Sequence, residues 1–152
     1  MEPLEDLDTR LLVDLLRDRI SPSKSLGQHY LIDDEVIERT IRLTEEFDSP
    51  LSDDSHVLEV GPGPGSLTLA LLRSDSSVTA IEIDKKSVEH LTRVFRESKE
   101  SLTLEEADAV SERWPKGITH VISNLPYQIS SPIVDRITKY HSSEPIQLSI
   151  LL

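Results

Sequence analysis

The chain contains no cysteine among its 152 residues. That excludes disulfides, thiolate metal sites and a cysteine nucleophile. It also lacks any run approaching the roughly 18–20 apolar residues that span a bilayer. Its start, MEPLEDLDTR, has neither the basic opening nor the apolar stretch of a secretory signal. A cytoplasmic location is therefore expected. Positive charge is scarce: 16 Lys and Arg face 28 Asp and Glu, for a net charge of −12. For direct contact with phosphates this is the wrong sign. Either the partner is not nucleic acid, or the protein works in a salty cytoplasm, where the Debye length shrinks to about 3 Å at 1 M. Six Lys against ten Arg fit the second reading; an activity optimum in dilute rather than molar KCl would sink it. What is present, 37% apolar residues in 152, suffices for one domain with a core.

Leu4, Leu7, Leu11, Leu12, Leu15 and Leu16 recur at helical spacing, which predicts an amphipathic helix over 4–19. Ser21-Pro22 stops it. SLGQHYLID reads as a loop, with Asp33 or Asp34 capping a second helix that turns Val36, Ile37, Thr40, Ile41 and Phe47 inward. From His56 onward the pattern changes to short apolar runs separated by helical stretches. HVLEV, VTAIEID, LTLEEAD, THVISNL and PIQLSILL read as strands; SLTLALLRS, the stretch carrying Val88, Leu91, Val94 and Phe95, and SSPIVDRITKY read as helices. Alternation of this kind predicts right-handed βαβ units and an α/β, doubly wound, mostly parallel sheet of Rossmann-like type. The last apolar run reads as an uncovered edge strand, so the chain is expected to be a piece of a longer protein and to self-associate. A clean monomer by light scattering across a concentration series would count against that.

VLEVGPGPG places Gly61, Gly63 and Gly65 after a strand and before a helix, where glycine permits a sharp turn and close approach of a ligand. Glu82 follows twenty-one residues after Gly61, where an acid can accept hydrogen bonds from both ribose hydroxyls; the role of its neighbour Asp84 stays open. These features fit a nicotinamide enzyme and an S-adenosyl-L-methionine (AdoMet) enzyme equally well. Asp108 at the end of the third strand offers an acceptor for an adenine amino group. Asn124 ends the fourth strand within NLPYQISSPI. An aromatic amine is a poor nucleophile, because its lone pair is delocalised into the ring. The Asn124 amide oxygen and a backbone carbonyl near Leu125–Pro126 can accept its N–H groups and orient that lone pair. Pro126 stiffens the turn, and Tyr127 offers a face on which an extruded base can stack, worth about 1–3 kcal/mol. No hydride-transfer proton donor accompanies this turn, which disfavours the nicotinamide reading.

SLGQHYLID, VLEVGPGPGSLT, AIEID, ADA and NLPYQISSPI occur here in the order of the ribosomal RNA adenine N6,N6-dimethyltransferases. The chain most resembles the small-subunit type, which dimethylates two adjacent adenosines near the 3′ end of the rRNA. NLPY with leucine second is the most specific element, since amino-methylases acting on DNA or glutamine more often carry a second proline there. The resemblance covers 24–152 as a partial AdoMet-dependent methyltransferase domain, with 1–23 as an N-terminal helical extension. It implies that Gln28, His29 and Leu31 line the methionine end of AdoMet. It also implies that Gly61 lies beneath the cofactor, Glu82 holds the ribose, Asp108 the adenine, and Asn124 touches both cofactor and target amine. Many relatives have asparagine where this chain has His29. The family pattern continues with the rest of the sheet, a further aromatic motif and a helical RNA-binding domain, none of which is in this sequence. The implied partner is small-subunit rRNA in the assembling ribosomal subunit, with no membrane, no metal and a monomeric full-length protein. A large-subunit dimethylase of the antibiotic-resistance type and a non-catalytic ribosome-assembly factor retaining the fold are the alternatives.

Overall fold

The computed structural model describes residues 3–17 and 33–152. Five strands form one sheet: β1 (His56–Val60), β2 (Ser77–Glu82), β3 (Leu102–Glu106), β4 (His120–Ser123) and β5 (Leu148–Leu151), in the order β3-β2-β1-β4-β5 with every pair parallel. The helices are α1 (Thr9–Arg17), α2 (Asp34–Glu46), α3 (Ser66–Arg73), α4 (Lys85–Val94) and α5 (Ser130–Ser143).

Period-two alternation in strands covered on both faces explains the two cores. Val57, Val78, Ala80 and Ile122 point to one side and pack with Leu12 of α1, Ile37 of α2, Leu69 and Leu71 of α3, and Leu91 of α4. Leu58, Val60, Ile81 and Val121 point to the other, against Ile133 of α5 and the segment Ala109–Ile118. The crossovers through α3 and α4 run outward from β1 on the first face, and α5 runs the opposite way on the second. The winding therefore reverses between β1 and β4, the place where doubly wound sheets open a crevice. The opening is visible in the pairing. β1 pairs with β2 at all five positions, but with β4 only at Val57↔His120 and Leu58↔Val121. Beyond that, Val60 N–H donates to the Ser123 hydroxyl (2.8 Å) in place of a backbone carbonyl.

Two expectations are corrected. The first helix does not begin at Leu4: Pro3–Asp6 is a single 3-10 turn, and α1 starts at Thr9 behind Asp8, whose carboxylate accepts Leu11 N–H. A free carboxylate before an apolar run competes for the backbone and caps there. Asp33 caps α2, accepting from Glu35 and Val36 N–H, and the buried stripe of that helix is Ile37, Thr40 and Thr44. Val36 is exposed off that stripe, and Phe47 lies beyond the last turn, 64% exposed.

Candidate active site

The glycine loop leaves β1 with positive φ at Gly61 (+67°), Gly63 (+55°) and Gly65 (+99°), a conformation that side chains other than glycine resist. Gly61 N–H extends the ladder to Ile81 C=O (2.9 Å). A Cβ on Gly65 would meet Phe95 Cε2 at 2.7 Å and Leu91 Cδ2 at 2.9 Å, so the loop rests directly on α4. The same helix supplies His90, fully buried, whose Nε2–H donates to Pro64 C=O (2.8 Å) while Nδ1 has no partner among the described residues. Burial lowers the pKa of His90 and keeps the imidazole neutral, as a single carbonyl partner requires.

Glu82 closes β2 with both oxygens engaged: Oε1 accepts Gly63 N–H (3.2 Å) and Oε2 accepts Asp84 N–H (3.1 Å). Burial raises its pKa, against the pull of those two amides. Asp84, left open by the sequence, is the N-cap of α4, accepting Ser87 N–H and the Ser87 hydroxyl. Between them Ile83 is 66% exposed, an aliphatic face beside the acid that periodicity alone assigned to the strand. Glu59, on the same side of the sheet as Val57, also escaped the sequence reading. It is fully buried, accepts the Thr68 hydroxyl at 2.6 Å, and burial together with nearby Glu82 pushes its pKa up to about 8. Asp108 lies two residues past the end of β3 rather than on it. It is exposed, and its Oδ1 accepts Val110 N–H at 2.9 Å.

Asn124 follows β4 immediately and is half-buried. Leu125 N–H donates to Leu152 C=O (3.3 Å), tying the turn to the end of β5. The Pro126 carbonyl accepts Ile129 N–H and the Ser130 hydroxyl, while the Asn124 and Leu125 carbonyls accept no hydrogen bond among the described residues. Tyr127 opens a 3-10 turn and is 92% exposed, so it is no core residue. Pro126 Cδ lies 3.7 Å from where a Cβ on Gly61 would stand: the glycine loop and the Asn124–Tyr127 turn adjoin at the reversal between β1 and β4. Gly61, Gly63, Glu82, Asp108 and Asn124 thus gather at one edge of the sheet. Left-handed glycines, an exposed aliphatic face and two carboxylates along that edge suit a cofactor bearing an adenosine. Gln28, His29 and Leu31 lie outside the described residues.

A parallel sheet in this order, with a glycine loop after β1 and an acid closing β2, is Rossmann-like, and its likeness to solved methyltransferases puts it in the AdoMet-dependent class. Within that class, the chain belongs to the ribosomal RNA adenine dimethylase family, whose model matches residues 20–152. It is 38% identical over 131 residues to a protein of Thermococcus gammatolerans named "Probable ribosomal RNA small subunit methyltransferase A", covering 86% of this chain and 44% of that one. The crystal structure of a dimethyladenosine transferase from Plasmodium falciparum superposes with a TM-score of 0.67 at 25% identity, over 81% of this chain and 42% of the other. That of the 23S rRNA methyltransferase ErmE gives 0.65 at 27%, over 81% and 47%. The chain therefore spans less than half the length of these relatives.

Proposed function

We propose that this chain is the AdoMet-binding and catalytic portion of an enzyme that methylates the N6 amines of adjacent adenosines near the 3′ end of small-subunit rRNA. The observation carrying the proposal is the junction of Gly61 with Pro126, which sets an adenosine-type cofactor site and an amine-directed turn against each other. AdoMet supplies an electrophilic methyl group on a sulfonium. The chain supplies position. Glu82 would take the ribose hydroxyls, with Ile83 against a face of the adenine and Asp108 accepting its amino group; the family resemblance assigns the methionine end to Gln28, His29 and Leu31. Asn124 Oδ1 and the Leu125 carbonyl accept the two N–H groups of the target amine and turn its lone pair in line with the methyl. Pro126 fixes the direction of that carbonyl, and Tyr127 stacks on the extruded base. The methylated ammonium is acidic enough to lose its proton to water, so no side-chain base is needed, and rate comes from alignment.

Calorimetric titration of the chain with AdoMet in molar KCl, beside Asp108→Ala and an NAD control, tests the cofactor assignment. Binding of AdoMet alone, weakened about tenfold by the substitution, is the expected result; a folded chain that binds no AdoMet rejects it. A second reading, large-subunit rRNA as substrate, draws on the likeness to ErmE. Nucleoside analysis of both subunits separates the two, and dimethyladenosine confined to the large subunit overturns the first. If Asn124→Ala and Tyr127→Ala leave methylation by the full-length protein unchanged, the chemistry lies on residues other than this turn.

A further inference from the structure

The crossover from β3 to β4 is the one in this sheet without a helix of its own: residues 107–119 run as turns and irregular chain. Yet the base-facing acid of the cofactor site, Asp108, sits in it. Local bonds shape only its first turn, where Asp108 C=O accepts Ser111 and Glu112 N–H. Ala107 N–H at its start is tied to the Glu82 carbonyl of β2 (3.0 Å) and Thr119 at its end to His56 of β1 (2.9 Å); between these the segment is held chiefly from α5. Arg136 and Tyr140, one helical turn apart on the same face, grip the segment at two points. The Arg136 guanidinium donates through Nη1 to both the Ala109 and Glu112 carbonyls and lies over the Trp114 ring, Cζ at 4.6 Å from its centre. Trp114 is buried, and its indole N–H donates to the same Ala109 carbonyl (3.0 Å). Tyr140 OH donates to Pro115 C=O (2.8 Å), accepts Ile118 N–H (3.1 Å), and its ring lies 6.0 Å from that of Trp114. α5 begins directly after the 3-10 turn opened by Tyr127.

We propose that Arg136 is a positioning residue for the adenine end of the cofactor site: reaching from the helix that follows the target-binding turn, it fixes the loop that presents Asp108. This rests on the reading of Asp108 as the adenine acceptor. A planar cation suits the task, because one nitrogen reaches two carbonyls while the plane covers the indole; lysine can satisfy a carbonyl but cannot cover the ring in that way. Arg136 bonds to Ala109 and Glu112 and covers Trp114, none of them a residue assigned to the cofactor site, so its effect on ligand is expected to pass through Asp108. The structure of the loop and the affinity of the site are then two separate readouts of one clamp.

Trp114 is the only tryptophan in the chain, so acrylamide quenching reports the clamp directly. The test compares wild type, Arg136→Met, Arg136→Lys, Asp108→Asn and the Met/Asn double variant, by quenching and by calorimetric titration with S-adenosylhomocysteine. Arg136→Met should raise the quenching constant about twofold and weaken binding about tenfold, with Arg136→Lys between it and wild type. In the Asp108→Asn background the same change should cost less than about twofold, because coupled residues are not additive. Unchanged Trp114 shielding in Arg136→Met overturns the proposal, as does a loss of affinity that persists in full without the Asp108 carboxylate. If Arg136→Met does not fold, Arg136→Lys carries the same readouts at smaller amplitude. A folded wild type that binds no S-adenosylhomocysteine rejects the cofactor reading instead, and quenching alone then decides the clamp.

Discussion

Glu59 is the residue whose chemistry departs furthest from its ordinary behaviour. Burial and the proximity of Glu82 lift its pKa from 4.5 to about 8, although the Thr68 hydroxyl pulls the other way. The folded chain thus keeps a proton that the unfolded chain gives up near its ordinary value. Stability is full below that value, falls as pH rises through the interval, and levels off above about pH 8. Glu82, raised for the same chief reason, acts with the same sign. Glu59→Gln is neutral at every pH. Its Tm should exceed that of wild type at pH 8–9 by the equivalent of a few kcal/mol and converge with it near pH 4–5; parallel Tm curves measured by circular dichroism would refute this. The sequence held a signal for this residue, since alternation puts Glu59 on the Val57 side of a strand covered on both faces, but a lone acid in an apolar run reads as solvated. The glycines differ among themselves for a geometric reason. Gly65→Ala combines a left-handed φ with contacts of 2.7 and 2.9 Å to Phe95 and Leu91 and should cost about 2–4 kcal/mol in urea denaturation. Gly61→Ala meets only Pro126 at an ordinary 3.7 Å and should cost about 1–2 kcal/mol. Equal losses would show that backbone conformation, and not the approach of α4, sets the cost.

At the scale of elements, the crevice depends on how β1 and β4 part. The strands themselves were legible, because each is a short apolar run bounded by turn residues, and all five lie where those runs lie. Where they end was not. THVISNL reads as strand through Leu125, yet β4 stops at Ser123: its pairing with β1 ends at Val121 and with β5 at Ser123, and toward β1 only the Ser123 side chain meets Val60, across 63 residues of sequence. A cross-strand bond of that span leaves no mark in a local pattern. The same limit explains Val36 and Phe47: helical spacing identifies an apolar face, but the packing of α2 against α3 selects Ile37, Thr40 and Thr44 from it. Ser123→Ala should therefore do more than remove a hydroxyl. It strands the buried Val60 amide at the point where the sheet opens, at a cost of about 1–3 kcal/mol. An unchanged urea midpoint would mean that the strands close over the gap and pair through the backbone, narrowing the crevice.

The whole molecule carries a net charge of −12, and the fold does little to offset it. Among the described residues two ion pairs form, Arg96–Glu97 and Lys139–Asp135, both with exposed side chains, and exposed pairs contribute about 0–1 kcal/mol each. Most of the acidic excess is left to repel itself, a self-energy that opposes compaction. Raising KCl from 0.1 to 1 M shortens the Debye length from about 10 to about 3 Å and should relieve it. The Tm at neutral pH is thus expected to rise over that range. Salt also strengthens apolar burial by altering the hydration of the surface, so the rise by itself does not identify charge as the cause. The distinction lies in pH. Near pH 4.7, where the net charge vanishes, self-repulsion has nothing to screen, while the hydration effect persists. Scans in 0.1 and 1 M KCl at pH 7.5 and pH 4.7 should show a salt-dependent gain at the first pH that largely disappears at the second. A gain of equal size at both would assign the salt response to hydration and leave the acidic surface without a part in stability.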